Sequence, residues 1–412
     1  MAYEKVCILA VKTVNKTDEQ FESTVEEMES LSVTAGGEVV ATITQNRPKI
    51  HPVTYVGEGK LTEVKQTIEA EDISVVVVND ELSPSQLRNM NDVLNVKIID
   101  RSQLILDIFA QRATTKEAQL QVELAQLQYM LPRLRGMGLV LSRLGAGIGT
   151  RGPGETKLET DQRHIRRRID DIKKRLKDVV RQREQYRKRR KQNHVFQIAI
   201  VGYTNAGKST LFNKLTEEKT LEENLLFATL EPLTRQIQLP SGFSCLVTDT
   251  VGFLQDLPTT LIEAFKSTLE EAAEADLLLH VVDATNENYV KHEETVENIL
   301  EQLEAHKVPM LTLYNKKDLL EDTFIPREHP NLLISAYDET DLKKVQVKIE
   351  HILMEAWEKY DIRLQPENAH YLYQLEEQSI IINSEFNEES NEYEVEGFIA
   401  KDHPLQSVLK EK

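Results

Sequence analysis

An α/β fold built around a parallel sheet is predicted by three observations. Short apolar, β-rich runs alternate with amphipathic helical stretches along most of the chain. A glycine-rich octet, Gly202-Tyr203-Thr204-Asn205-Ala206-Gly207-Lys208-Ser209, lies between one such run and a helical stretch. Further short polar motifs fall at the ends of later runs, in a consistent order.

The run 195–201, Val-Phe-Gln-Ile-Ala-Ile-Val, reads as a buried parallel strand. The octet after it matches G-x-x-x-x-G-K-[ST], the phosphate-binding P-loop. Its glycines let backbone N–H groups curl round an anionic phosphate. Lys208 reaches the β- and γ-phosphates, and Ser209 offers a hydroxyl to Mg²⁺. Thr210 opens a helix whose N-terminus favours the anion. Further strands are predicted at 243–248, 276–282, 309–314 and 331–334. Helices over 258–273, 288–303 and 342–357 separate them, which implies a parallel sheet covered on both faces.

Three motifs sit at these strand ends. In Asp249-Thr250-Val251-Gly252, the carboxylate can hold Mg²⁺ through water and the Gly252 N–H can sense a γ-phosphate. In Asn315-Lys316-Lys317-Asp318, Asp318 can accept both N1–H and N2–H₂ of guanine, a donor pair that adenine lacks. A backbone N–H of Ser335-Ala336 can read guanine O6. Sites built on such hydrogen bonds reject the wrong base by roughly 10⁴. Together these motifs predict a GTP-binding domain.

The chain resembles the HflX family of translational GTPases. It carries the P-loop, Asp249-Thr-Val-Gly-Phe253, and the family's own marker Gly152-Pro-Gly-Glu-Thr-Lys-Leu-Glu-Thr-Asp161. The likeness runs from about residue 3 to about residue 364. It implies binding to the large ribosomal subunit and GTP-dependent splitting of whole ribosomes. Two other readings stay open: a GTP-dependent binding switch in large-subunit assembly, and an RNA chaperone or helicase that also uses ATP.

One position departs from many GTPases, which place a Gln after Asp-x-x-Gly to orient water. Here it is Phe253, as in the resembled family. A phenyl ring cannot hydrogen-bond water as an amide does, so slow intrinsic hydrolysis, stimulated by a partner, is expected. Lys208, Thr229 and Gly252 are the candidate catalytic groups. Thr229, within Phe227-Ala228-Thr229-Leu230, is the candidate switch ligand of Mg²⁺ beside Ser209 and Asp249; Thr220 and Thr234 are its rivals. Phe227 is assigned to the nucleotide site with it. Asn205 resembles the Asn that holds K⁺ in some related GTPases, and an ordinary turn is the other reading.

Upstream, a separate α/β unit is predicted over 1–112. Its strands are 5–11, 38–44, 73–78 and 96–99; its helices are 21–31, 60–70, 85–94 and 103–112. Gly57-Glu58-Gly59-Lys60 lacks P-loop spacing and reads as a loop with a helix start. An antiparallel helical hairpin follows at 113–193. Leu120, Leu124, Leu127, Leu131 and Leu134 repeat at coiled-coil spacing, as do Ile165, Ile169, Ile172, Leu176 and Val179. Its loop, 136–154, holds 7 of the chain's 16 glycines. Such a loop is costly to order alone and fits one that orders against RNA.

Residues 151–192 carry 17 Lys/Arg against 7 Asp/Glu, while the whole chain has a net charge of −18. One face approaching phosphate, on an otherwise acidic protein, is implied. Arg143, Arg151, Lys157, Arg166, Arg167 and Arg168 are the candidate RNA contacts. The GTP-binding domain is placed at 194–364. A small acidic α/β domain with a β-hairpin at 380–386 and 392–399 is placed at 365–412. Its charge favours a ribosomal protein over RNA as its partner.

A chain of 412 residues has ample core for several domains. No apolar run of about 18 residues suggests a membrane span, and no signal peptide is apparent at the N-terminus. Cys7 and Cys245 fall on strands of different domains and read as reduced, buried thiols. A cytoplasmic, monomeric protein using Mg²⁺ is expected.

Overall fold

The computed structural model describes residues 4–142, 157–192, 195–216, 226–227, 229–255, 271–388, 390–401, 403–406 and 409. The chain divides into two compact units. The first comprises residues 1–181, 224–230 and 255–266; the second comprises 182–223, 231–254 and 267–412.

The first unit opens with strand β1 (Glu4–Lys12), helix α1 (Asp18–Thr34), β2 (Gly37–Asn46) and α2 (Glu58–Glu71). It continues with β3 (Val75–Val78), α3 (Pro84–Leu94), β4 (Lys97–Asp100) and α4 (Arg101–Arg112). The strands form one parallel sheet in the order β2-β1-β3-β4. The run Val75–Val78 is wholly buried, as a central parallel strand requires. Helix starts are set locally. Thr17 with Gln20, and Ser83 with Gln86, form capping boxes, and Pro84 takes the first turn of α3. The segment 57–60 begins α2, with Gly57 as its N-cap.

Helix α5 (Lys116–Ser142) and helix α6 (Lys157–Gln192) follow. Leu120, Leu124, Ile169 and Ile172 form their buried seam, with Leu127, Leu131, Ile165 and Leu176 packed against it. The predicted loop 136–154 starts later than its glycines suggest, because α5 runs on through Gly136 and Gly138 to Ser142. A helical glycine costs only about 1 kcal/mol relative to alanine, and Met137 and Leu139 are good helix formers. The rest of that loop, 143–154, lies outside the described residues.

The second unit holds a six-stranded sheet. Its strands are β5 (Gln197–Gly202), β6 (Leu233–Gln238), β7 (Ser244–Asp249), β8 (Leu277–Asp283), β9 (Met310–Asn315) and β10 (Asn331–Leu333). The order is β10-β9-β8-β5-β7-β6, parallel throughout except for β6 on the edge. Helices α7 (Lys208–Thr216), α8 (Tyr289–Gln302) and α9 (Glu339–Ala356) accompany it. Ile198, Ile200, Leu211, Phe212, Val247, Leu279 and Leu313 belong to its core. Most of the predicted helix 258–273 lies outside the described residues.

A three-stranded antiparallel sheet ends the chain, with β11 (Glu358–Leu364), β12 (Ile380–Asn387) and β13 (Glu392–Ile399) in the order β11-β13-β12. Helix α10 (Ala369–Gln378) contributes Leu375 to the core of this part, with Tyr360, Ile362, Leu364 and Val395. Because β11 pairs with β13, this sheet begins at Glu358, before the boundary expected at 365. Cys7 and Cys245 are free and buried. Burial pushes their thiols up to about 11 and about 12. Among the described residues, no helix is long and apolar enough to cross a membrane.

Candidate functional site

The octet joins β5 to α7 within the second unit. Gly207 has φ +96°, and a Cβ there would collide with the Asn315 amide, so only glycine fits. Asn205 is exposed at the loop's tip, also with positive φ (+60°). Leu211 N donates to Gly207 O at 2.9 Å, which starts the helix directly behind the loop.

Lys208 is buried, and its ammonium donates to Tyr203 O at 2.7 Å. Burial pulls its pKa down to about 8, and Asp249 partly opposes this. The site therefore holds a desolvated cation that an incoming anion would re-stabilise. Ser209 Oγ donates to Asp249 Oδ2 at 2.8 Å, which joins the P-loop to the end of β7. A hydroxyl beside a carboxylate is a hard-oxygen donor pair, and it fits Mg²⁺. Thr210 stands in the first turn of α7, half-buried.

Gly252 approaches closely: a Cβ on it would lie 2.8 Å from Thr204 Cγ2 and 3.0 Å from Lys208 Nζ. Phe253 is buried at 1 % exposure. Its carbonyl accepts from Thr204 N at 2.8 Å, and its N–H donates to Gly202 O at 3.2 Å. The residue at the usual Gln position is thus locked to the P-loop by its main chain.

The base-side motifs meet the octet through Asn315. Its Nδ2 donates to Ala206 O at 2.9 Å, and its Oδ1 accepts from Ala336 N at 3.0 Å. Lys316 has φ +68° and donates to Asp283 Oδ2 at 2.6 Å. Asp318 is exposed. Ser335 and Ala336 are buried. The N–H of Ala336, a candidate reader of O6, is thus already engaged by Asn315.

Three family descriptions match successive parts of the chain. They are GTP-binding GTPase N-terminal over 22–110, GTP-binding GTPase middle region over 112–190, and 50S ribosome-binding GTPase over 197–316. A relative described as GTPase HflX, from Alkalihalophilus pseudofirmus, is 52% identical over 406 residues, covering 98% of this chain and 96% of its own. This chain belongs to the GTPase HflX family. The GTPase HflX of Escherichia coli is 48% identical over 302 residues, covering 73% of this chain and 71% of its own. A solved structure of SsGBP in complex with GDP aligns over 85% of this chain and 98% of its own, at 26% identity and a TM-score of 0.49. Membership in the HflX family makes the chain a GTPase, with a GTPase domain of the ribosome-binding type.

Not every candidate of this HflX-family chain lies in the second unit. Phe227 and Thr229 belong to the first. Phe227 is buried with its ring edge-on to Phe109, centroids 4.6 Å apart, and its apolar ring is taken up in that packing. Thr229 is half-buried. The rival Thr234 shares a 2.9 Å hydrogen bond with Thr248 across β6 and β7, and Thr220 lies outside the described residues. Of the arginines on α6, Arg166 and Arg167 are exposed. Arg168 instead donates from Nε and Nη2 to Glu123, both at 2.7 Å. A bidentate pair of this kind holds its fork inside the hairpin. Lys157 begins α6, while Arg143 and Arg151 lie outside the described residues.

Four residues near the site gave no motif signal. Tyr203 stacks on His292 of α8, with ring centroids 3.8 Å apart and planes 7° from parallel. Burial drives the His292 pKa down to about 4. His280, buried on β8, is also lowered to about 4, by burial and then by Lys208. Asp283 pairs with Lys316. Asp341 bonds to Ser335 and to Lys317. Only the four-residue spacing of buried positions, Asp341, Val345, Ile349 and Leu353, hints at Asp341.

Proposed function

We propose that this GTPase binds GTP and GDP through Gly202 to Thr210, Phe227, Thr229, Asp249, Gly252, Asn315, Lys316, Asp318, Ser335 and Ala336, with Thr229 as the switch residue. Lys208 neutralises β- and γ-phosphate charge. Ser209, Asp249 and Thr229 would hold Mg²⁺, which would offset the negative charge that develops during transfer. Asn205 is the candidate K⁺ ligand, and its left-handed turn presents it to solvent. Asp318 reads N1–H and N2–H₂, while the Ala336 N–H is shared between Asn315 Oδ1 and O6.

The partner is the large ribosomal subunit, and the outcome is the splitting of ribosomes in the cytoplasm, with the protein acting as a monomer. The basic arm supplies phosphate contacts through Arg166, Arg167, Lys157, Arg143 and Arg151. One observation carries the link between hydrolysis and the ribosome. Phe253 is buried and bonded to the P-loop through its main chain, and its phenyl ring offers no hydrogen bond to orient the attacking water. The stimulating group then comes from the partner.

Light scattering of intact ribosomes tests this reading. GTP with the protein is expected to lower the scattering, while ATP leaves it unchanged. Stimulated hydrolysis with ribosomes left intact would favour the assembly or switch role instead. A comparable effect of ATP would favour the chaperone or helicase reading.

A further inference from the structure

We infer that Asp341 is a positioning residue for base selection, acting as a buried clamp between the two loops that read guanine. The inference rests on the proposed roles of Asp318 and Ser335-Ala336.

The geometry is specific. Asp341 lies in the first turn of α9 and is fully buried. Its Oδ2 accepts from Ser335 N at 3.1 Å and from Lys317 Nζ at 3.2 Å. Its Oδ1 accepts from Lys344 Nζ at 2.7 Å. Ser335 begins one base-reading pair, and Lys317 is the third residue of the Asn315–Asp318 tetrad. A single carboxylate therefore holds both loops, with Asn315 joining them a second time through Ala336 N.

A buried carboxylate is costly unless it is paired and hydrogen-bonded. Burial alone would raise its pKa; the bonds from Lys344, Ser335 and Lys317 outweigh that and hold it below the ordinary carboxylate range. The charge is therefore retained, and its two lysine partners are surface side chains. With Ser335 N fixed to Asp341, the next peptide turns its N–H toward Asn315 Oδ1, where the proposed O6 contact would also be made. With Lys317 tethered, the backbone carrying Asp318 is fixed as well. Asp341 bonds to Ser335, Lys317 and Lys344 and is not among the groups proposed to meet the phosphates or the base. It acts on discrimination by fixing where two other groups stand.

The experiment measures GDP, IDP and ADP affinities of the full chain by competition, for Asp341→Asn, Asp341→Ala and Lys317→Ala. Thermal stability without nucleotide is recorded alongside. GDP and IDP affinities are expected to fall about tenfold in Asp341→Asn, the usual scale for a lost charged hydrogen bond. ADP, which meets only the phosphate and ribose contacts, should keep its weak affinity, so selectivity contracts. Lys317→Ala, changed at an exposed side chain, should give a smaller loss of the same pattern. Combining Asp341→Asn with Asp318→Asn should cost less than the sum of the two. Equal losses for GDP and ADP, or unchanged GDP affinity in a folded variant, would overturn the clamp. Unchanged GDP affinity in Asp318→Asn alone would instead overturn the base-reading assignment beneath it.

Discussion

The main chain of Phe253 is bonded to that of Thr204, with the Phe253 carbonyl accepting the Thr204 N–H at 2.8 Å. A residue that follows the Asp-x-x-Gly motif is therefore part of the P-loop's own scaffold. Its ring is buried.

Phe253→Gln should not rescue intrinsic catalysis. The amide would enter a buried position and cost about 1–3 kcal/mol if left without partners. The expected outcome is a lower melting temperature with basal phosphate release unchanged. A clear rise in basal release, with the fold intact, would show that this position can reach the water.

Asp318→Asn should weaken GDP binding sharply and allow xanthine nucleotide to recover part of it. The carboxylate's two acceptors match the guanine donor pair, and an amide presents one donor and one acceptor. Titration calorimetry with GDP and XDP decides the matter; an unaltered GDP affinity would remove Asp318 from the site.

Nucleotide affinity should depend on pH through Lys208. Its pKa is near 8 in the folded chain and 10.5 as the ordinary value. A bound phosphate favours the charged form, so binding takes up a proton once pH passes about 8, and affinity falls from there upward. For the free protein, unfolding releases Lys208 to bind a proton more tightly. Stability from this group therefore rises between about pH 8 and 10.5. Calorimetry in two buffers of different ionisation heat measures the uptake, and Lys208→Met should abolish it.

Acid should destabilise the protein through His280 and His292. Both are held near pKa 4 from an ordinary 6.5. The unfolded chain binds their protons first, so stability falls as pH drops from about 6.5 to 4, by up to about 1.4 kcal/mol per unit per histidine. Denaturant titrations of His280→Leu across that range should show a shallower slope. An unchanged slope would mean that other groups carry the effect.

The arm's arginines should separate by role. Alanine at Arg166 and Arg167 should weaken subunit binding and flatten its salt dependence, as lost phosphate contacts do. Arg168→Ala should chiefly loosen the hairpin, because its partner is Glu123. Sedimentation across a salt series, with melting curves, tells the two apart.

Much of the site was legible because its chemistry demands fixed residue types at fixed spacing. The octet, Asp249, Asn315 and Ser335-Ala336 gather round one sheet end for that reason. Asp341 was not legible, since its role depends on contacts brought together across 24 positions of chain. Phe227 reads as a nucleotide-site residue in its tetrapeptide, yet its ring follows apolar burial against Phe109. Strand β6 gave no clear signal because, of its six residues, only Ile237 is buried. Strand β11 does alternate, burying Tyr360, Ile362 and Leu364, but its partner β13 lies about thirty residues away. The glycines over 136–154 suggest a loop throughout, but their helix-breaking tendency is too weak to end α5 before Ser142.

The most direct test of the central claim records phosphate release and light scattering together, with the full-length chain, GTP and intact ribosomes. Slow release by the protein alone, strong acceleration when ribosomes are added, and a GTP-dependent fall in scattering are expected. Rapid release by the isolated chain, unaffected by ribosomes, would contradict it.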